Sequence, residues 1–273
     1  MLTEQHSKLV EFIWSIAERL RGPYRPPQYR KVMLPLIVLR RLDMMLADSK
    51  AEVCAEYQRL KAIQKATKGN KKQKMSDDTI VKTLSNVVSQ KHGVSFYNVS
   101  PYTFSTLLDD PNGLAANLNA YINAFSPNVR IIFDKFKFDA EIAVLDDKNR
   151  LFSIIKEFAD EKIDLHPDRV SNLQMGYIFE HLIRRFNEQA NEEAGDHFTP
   201  REVITLMAHL IYTGDEDIYT PDIAKTIYDP ACGTGGMLSV SEDYIRRHNP
   251  QAHLVLYGQD YNDESWAICC SDM

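Results

Sequence analysis

The stretch Asp229-Pro-Ala-Cys-Gly-Thr-Gly-Gly236 sets a carboxylate ahead of a glycine-rich turn, where a strand should end and a helix begin. Ile227-Tyr228 reads as the end of a β-strand and Met237 to His248 as the helix after it. That order presents unpaired amide N–H groups and the positive end of a helix to a small molecule. Gly233, Gly235 and Gly236 keep side chains out of its space. The spacing is not the pyrophosphate fingerprint G-x-G-x-x-G, and no Lys-Ser/Thr pair follows, so neither dinucleotides nor nucleoside triphosphates are favoured. A carboxylate at a strand end suits a cationic amine. A second apolar run, His253-Leu-Val-Leu-Tyr-Gly-Gln-Asp260, ends in another carboxylate, which can accept both hydroxyls of a ribose. Ligands of doubly wound sheets sit beyond the carboxyl ends of parallel strands, so Asp229 and Asp260 are expected to flank one crevice. A ligand with an ammonium, a carboxylate and a ribose, and no phosphate, is S-adenosylmethionine.

Upstream lies Ala194-Gly-Asp-His-Phe-Thr-Pro-Arg-Glu-Val203. Together with Asp229 to Gly236 and Tyr257-Gly-Gln-Asp-Tyr-Asn262, it resembles the modification subunit of type I restriction–modification systems, the adenine-specific DNA methyltransferases. The glycine turn is common to many methyltransferases, whereas the Gly-Asp-His-Phe-Thr-Pro-Arg element ahead of it is far more specific. The resemblance extends back through Met175-Gly-Tyr-Ile-Phe-Glu-His-Leu-Ile-Arg-Arg-Phe186 and is looser before that. It implies that Asp196, His197, Phe198, Thr199, Pro200 and Arg201 wall the methionine end of S-adenosylmethionine, and that Asp229 meets its ammonium directly or through water. Pro230, Gly233, Thr234, Gly235 and Gly236 would lie in the cofactor turn and Asp260 would hold the ribose, although the family more often has Glu there. It further implies a specificity subunit, a restriction subunit and double-stranded DNA as partners. His197 beside Asp196 is discounted as an acid–base catalyst because the resemblance gives that loop to the cofactor. Cys232 is discounted as a nucleophile because it lies within the cofactor turn rather than facing a flipped base.

The elements that must position these residues divide the chain. Leu9, Phe12, Ile13, Ile16 and Leu20 recur at helical spacing and predict an amphipathic helix ended by Gly22-Pro23. Val32, Leu36, Leu39, Leu42, Met45 and Leu46 predict a second, with Pro35 early enough to be tolerated or to kink it. Shorter helices are expected over Ser76 to Lys91, Pro111 to Phe125 and Leu151 to Phe158, and Leu173, Tyr177, Ile178, Leu182 and Phe186 form the last clear stripe. Such stripes are core rather than sites, and Trp14, Phe133, Phe136 and Phe138 read as packing rather than base-stacking aromatics. A polar stretch at Asn187 to Ala194 marks the boundary. The fold class expected is an α-helical N-terminal domain over 1–187, then the start of a Rossmann-like α/β methyltransferase domain over 188–273.

Composition narrows the classes further. The 273 residues carry a formal net charge of -6 and 44% hydrophobic residues, enough for a core. Residues 1–74 hold 16 Lys and Arg against 7 Asp and Glu, and the remainder holds 16 against 31, so the surplus of positive charge is confined to the N-terminal part. Phosphate-backbone contact is therefore expected there, most densely at Lys68, Lys71, Lys72 and Lys74, with a solvated helix end as the plain alternative. No run approaches a membrane span and no signal peptide opens the chain. Cys54, Cys232, Cys269 and Cys270 show neither paired nor metal-ligand spacing, which predicts a reduced cytoplasmic protein without a metal.

Adenine-amine methyltransferases use an Asn/Asp-Pro-Pro-Tyr/Phe element to hold the target base, and it does not occur up to Met273, the last residue of this sequence. The resemblance places that element beyond Met273. The chain is accordingly expected to be the N-terminal part of a longer subunit, with no catalytic residue of its own and no activity alone. Two alternatives remain: a non-catalytic assembly or DNA-contact module, and a methyltransferase acting on RNA, protein or a metabolite.

Overall fold

The computed structural model describes residues 4–66, 75–190 and 199–272. In chain order the elements are α1 (Glu4–Ala17), α2 (Arg30–Met45), α3 (Lys50–Ala66), α4 (Asp77–His92), α5 (Phe104–Leu107), α6 (Leu114–Asn123), α7 (Pro127–Phe136), α8 (Phe138–Asp147), α9 (Leu151–Phe158), α10 (Asn172–Ala190), α11 (Arg201–Tyr212), β1 (Ala224–Asp229), α12 (Gly236–His248), β2 (His253–Gly258) and α13 (Asp263–Asp272). They form two compact units, one of residues 1–38 with 167–273 and one of residues 39–166. This division does not follow the single boundary expected near 187: the chain enters the first unit twice, and α10 belongs to it.

In the first unit the early helix packs on α10. Trp14 lies against Phe186 at 5.2 Å between ring centroids, and Arg185 covers the Trp14 ring at 4.2 Å while its Nη1 donates to Glu11 Oε1 at 2.6 Å. Leu9, Ile13, Ile16 and Leu20 are buried, as their spacing predicts. Gly22, at φ 109°, takes the left-handed conformation that stops the helical path there. β1 and β2 are parallel neighbours, in register from Ala224 opposite His253 to Asp229 opposite Gly258. Alternation sends Ile227 and Leu254 to one face, where they meet Ile218, Ile245 and Ala252. On the other face Tyr228, Val255 and Tyr257 are at least half exposed. The last described helix, α13, follows β2 and ends at Asp272; Met273 lies outside the described residues.

The second unit is helical throughout its regular elements. α3 and α4 pair through Val53, Leu60, Ile80, Leu84 and Val88, with Tyr97 closing the cluster. α4 is capped at its start by Ser76 Oγ, which accepts from the Thr79 amide at 3.1 Å, and ended by Gly93 at φ 66°. Phe133 and Phe138 are buried, in agreement with a packing role. A polar network runs through this core: Tyr121 Oη donates to Asp43 Oδ1 at 2.6 Å, and Asn98 Nδ2 to the Tyr121 carbonyl at 2.8 Å. Lys50 Nζ donates to Asn98 Oδ1 at 2.9 Å and lies 4.8 Å from the Tyr121 ring centroid. Buried polar groups need such partners, and here each serves the next.

Candidate cofactor site

The turn after β1 is built by backbone hydrogen bonds to the end of β2. Gln259 N–H donates to the Asp229 carbonyl and Cys232 N–H to the Gln259 carbonyl, both at 2.9 Å, so the two strand ends leave the sheet side by side. Asp229 Oδ1 accepts from the Ala231 amide at 3.0 Å, starting the turn. Gly233 and Gly235 have φ of 53° and 87°, which side-chain-bearing residues adopt only at a cost. Gly235 is also the N-cap of α12, and no side chain caps the helix start, leaving its first amides in the arrangement that attracts negative or dipolar groups.

Two further glycines are explained by close approach. A Cβ on Gly236 would stand 2.9 Å from Ile204 Cδ1 and 3.6 Å from Glu180 Oε1, so its absence lets α11 and α10 close on the turn. A Cβ on Gly258 would meet Cys232 Sγ at 2.9 Å and Leu238 Cδ1 at 3.1 Å. The Cys232 side chain is thus packed under β2, and burial pushes its thiol up, which agrees with its rejection as a nucleophile.

Beside the turn opens a cleft of about 820 Å³. Of the residues expected at the cofactor, Thr199, Asp229, Pro230, Gly233, Thr234 and Gly236 line it. Gly235 is buried beneath the turn, and Pro200, exposed, caps the start of α11. Asp196, His197 and Phe198 lie outside the described residues, as do Lys68, Lys71, Lys72 and Lys74. The target-base element, expected beyond Met273, has no counterpart among the residues that line the cleft. Asp260 is not among the residues that line the cleft; its Oδ2 accepts from the Gly233 amide at 2.8 Å and its Oδ1 from the Asn262 amide at 2.7 Å. It ties the turn to the end of β2, and each oxygen retains a lone pair for a ligand.

Arg201 is placed differently from its expected position in the cofactor wall. It is buried, with Nε donating to Glu180 Oε1 at 2.6 Å and Nη1 to Ser239 Oγ at 2.8 Å. Glu180 itself lines the cleft. Burial pushes its carboxyl above the usual carboxylate range, and Arg201 draws it back. Glu180 is a site residue that the sequence patterns above do not single out, although they hold two signals for it. An acid among the apolar positions of α10 must be paired, and an arginine opening a helix works against its dipole and so needs an acid beside it.

Among the described residues no cluster of His, Cys, Asp and Glu could hold a metal, and no helix is long and apolar enough to cross a membrane. The cleft has the size of a small-molecule site, and Asp229 at the end of β1 lines it together with Thr199, Gly233, Thr234 and Gly236.

A family model described as the HsdM N-terminal domain matches residues 9–158, more than half of the chain. The chain belongs to the HsdM family. A second model, N-6 DNA Methylase, matches residues 171–273 and so contains the whole cleft. Among curated relatives, the type I restriction enzyme MjaIX methylase subunit of Methanocaldococcus jannaschii is 25% identical over 94% of this chain and 43% of its own length. The HindI methylase subunit of Haemophilus influenzae is 28% identical over 36% of the chain and 20% of its own length. The fold is that of a solved type I restriction-modification system methyltransferase subunit from Streptococcus thermophilus, with a TM-score of 0.58 and 20% identity, over 98% of this chain and 55% of that one. The chain spans about half the length of the MjaIX subunit and of the Streptococcus thermophilus subunit that it matches.

Proposed function

We propose that this chain binds S-adenosylmethionine in the cleft beside Asp229 to Gly236, as part of a type I modification subunit that methylates the exocyclic amine of adenine in DNA. The observation that carries the reading is the joining of the two strand ends: Asp229 and Asp260 follow paired parallel strands and are tied into one glycine turn. When bound, the cofactor supplies a methyl group carried on a sulfonium. The residues of this chain hold and orient it. Asp229 would receive the ammonium, the α12 amides the carboxylate end, and Asp260 the ribose hydroxyls, while Thr199 and Thr234 wall the cleft. The match to N-6 DNA Methylase supports adenine in DNA as the substrate. A specificity subunit, a restriction subunit and double-stranded DNA are the partners this reading implies, with a cytoplasmic site of action.

Calorimetric titration tests the reading at its base. S-adenosylmethionine should bind the chain with measurable heat, and Asp229→Asn should weaken it by about 1–3 kcal/mol, the range for a charged partner removed. No heat from the folded wild-type chain at millimolar ligand would remove the cleft as a cofactor site.

A further inference from the structure

Four groups from three helices form a continuous chain of hydrogen bonds behind the glycine turn. Glu180 on α10 accepts from Arg201 Nε on α11, Arg201 Nη1 donates to Ser239 Oγ on α12, and Ser239 Oγ donates to the Gly236 carbonyl at 3.1 Å. The Tyr177 ring covers the guanidinium at 5.2 Å from its centroid. Side-chain exposures of 2% for Arg201 and 9% for Glu180 show the pair is withdrawn from water. Removing two charges from solvent is costly, and a buried ion pair is commonly no more stabilising than apolar packing of the same volume. A guanidinium in the first turn of α11 also opposes that helix's dipole. Stability is therefore a poor account of this arrangement. What it does provide is a directional connection that ends on the carbonyl of the first residue of α12.

We propose that Arg201 is a positioning residue, locked by Glu180, that fixes the first turn of α12 through Ser239 and so sets the wall of the cleft formed by Gly233 to Gly236. The link to the cofactor rests on the proposed binding of S-adenosylmethionine; the link to the turn does not. An apolar pair would fill the space but would leave Ser239 Oγ free to rotate away from Gly236. Lysine would keep the charge and lose the planar fork that meets Glu180 and Ser239 at once.

The test uses the 273-residue chain with Arg201→Lys and, as a variant that removes both hydrogen bonds of Ser239 Oγ and leaves the ion pair in place, Ser239→Ala. Amide hydrogen exchange over residues 233–240 is read by mass spectrometry, alongside affinities for S-adenosylmethionine and for adenosine, which lacks the methionine end. Both variants should exchange faster in that segment, and Arg201→Lys should bind S-adenosylmethionine about tenfold more weakly, the scale of one charge-assisted bond. Adenosine affinity should stay within about twofold, because the ribose contact lies on the β2 side. Unchanged exchange at the turn in both folded variants overturns the proposal. So does faster exchange throughout the first unit with both ligands weakened alike, since the ion pair would then be only a strut. Should wild type bind neither ligand while the turn still loosens in the variants, the positioning role stands and the cofactor reading falls.

Discussion

Asp260 accepts one backbone amide on each of its oxygens, from Gly233 and from Asn262, so it serves the loop before it serves any ligand. Substituting it therefore removes a ribose acceptor and a staple together. Asp260→Ala should weaken S-adenosylmethionine by about 1–3 kcal/mol and also loosen the turn, whereas Asp260→Asn keeps an acceptor and should fall between the two. Calorimetry on the three proteins gives the order, and equal affinities would place the ribose elsewhere. The carboxylates and the left-handed glycines are legible in the sequence because turn chemistry is local: Gly233 and Gly235 are required by their own φ angles. Gly236 and Gly258 are legible as glycines but not in their reason, which is a neighbour brought by tertiary packing, Ile204 in one case and Cys232 in the other. Arg201 is expected beside the ligand and stands instead behind the turn, because its partners Glu180 and Ser239 lie far from it in sequence. Lys50 is a second residue whose state is set by distant partners. Burial holds its pKa down to about 8 from an ordinary 10.5. Between these values the unfolded chain keeps a proton that the folded one has shed, so stability rises with pH across that window; the cost is fully present below it and absent above it. Wild type should accordingly gain stability relative to Lys50→Met from pH 8 to 10.5, by on the order of 1 kcal/mol after allowance for its partial exposure. Denaturant titrations at both ends of the range measure it, and a flat difference would mean that Lys50 titrates normally.

At the level of elements, α11 has two apolar faces. Ile204 and Ala208 point inward with Val240, Met207 lines the cleft, and Val203, Leu206 and Leu210 are exposed, Leu210 at 73%. The sequence does not delimit this helix, because it opens on Arg201 inside the Gly-Asp-His-Phe-Thr-Pro-Arg element, which reads as a ligand loop. α7 and α8 escape for another reason. They are ten residues each, and the left-handed residue between them is Lys137 at φ 53°, where glycine would have given a visible stop. α1, α4, α9, α10 and α12, by contrast, run close to their expected spans because each carries a one-sided apolar stripe, reinforced in α4 by the Ser76 cap. The two faces of α11 should respond oppositely to substitution. Ile204→Ala should cost about 2–4 kcal/mol. Leu206→Lys with Leu210→Glu should leave stability within about 0.5 kcal/mol while reducing self-association in sedimentation. A large loss of stability from the outward pair would show that this face is covered.

At the level of the whole molecule, the path of the chain matters more than the sum of its contacts. Residues 1–38 and 167–273 make one unit, and residues 39–166 make the other between them. The change of composition at Asn187 to Ala194 begins inside α10 and does not coincide with the division into units, and local patterns have no means of showing that α1 closes on α10 through Trp14 and Phe186. On the ribosome this path imposes an order. The inserted unit has all its partners in hand once residue 166 has emerged, whereas α1, with Leu9, Ile13, Ile16 and Leu20 unburied, must wait for α10. Long closures of this kind are slow, and apolar surface held open meanwhile is what chaperones recognise. Refolding from denaturant should show the same sequence of events, with amides in residues 39–166 protected first and those of α1, α10 and α12 later, in pulse-labelled hydrogen exchange. Protection appearing everywhere at one rate would contradict it. A glycine turn built only when α10 to α12 pack leaves residues 39–166 folding ahead of the cleft, so the capacity to hold a ligand follows the inserted unit rather than accompanying it.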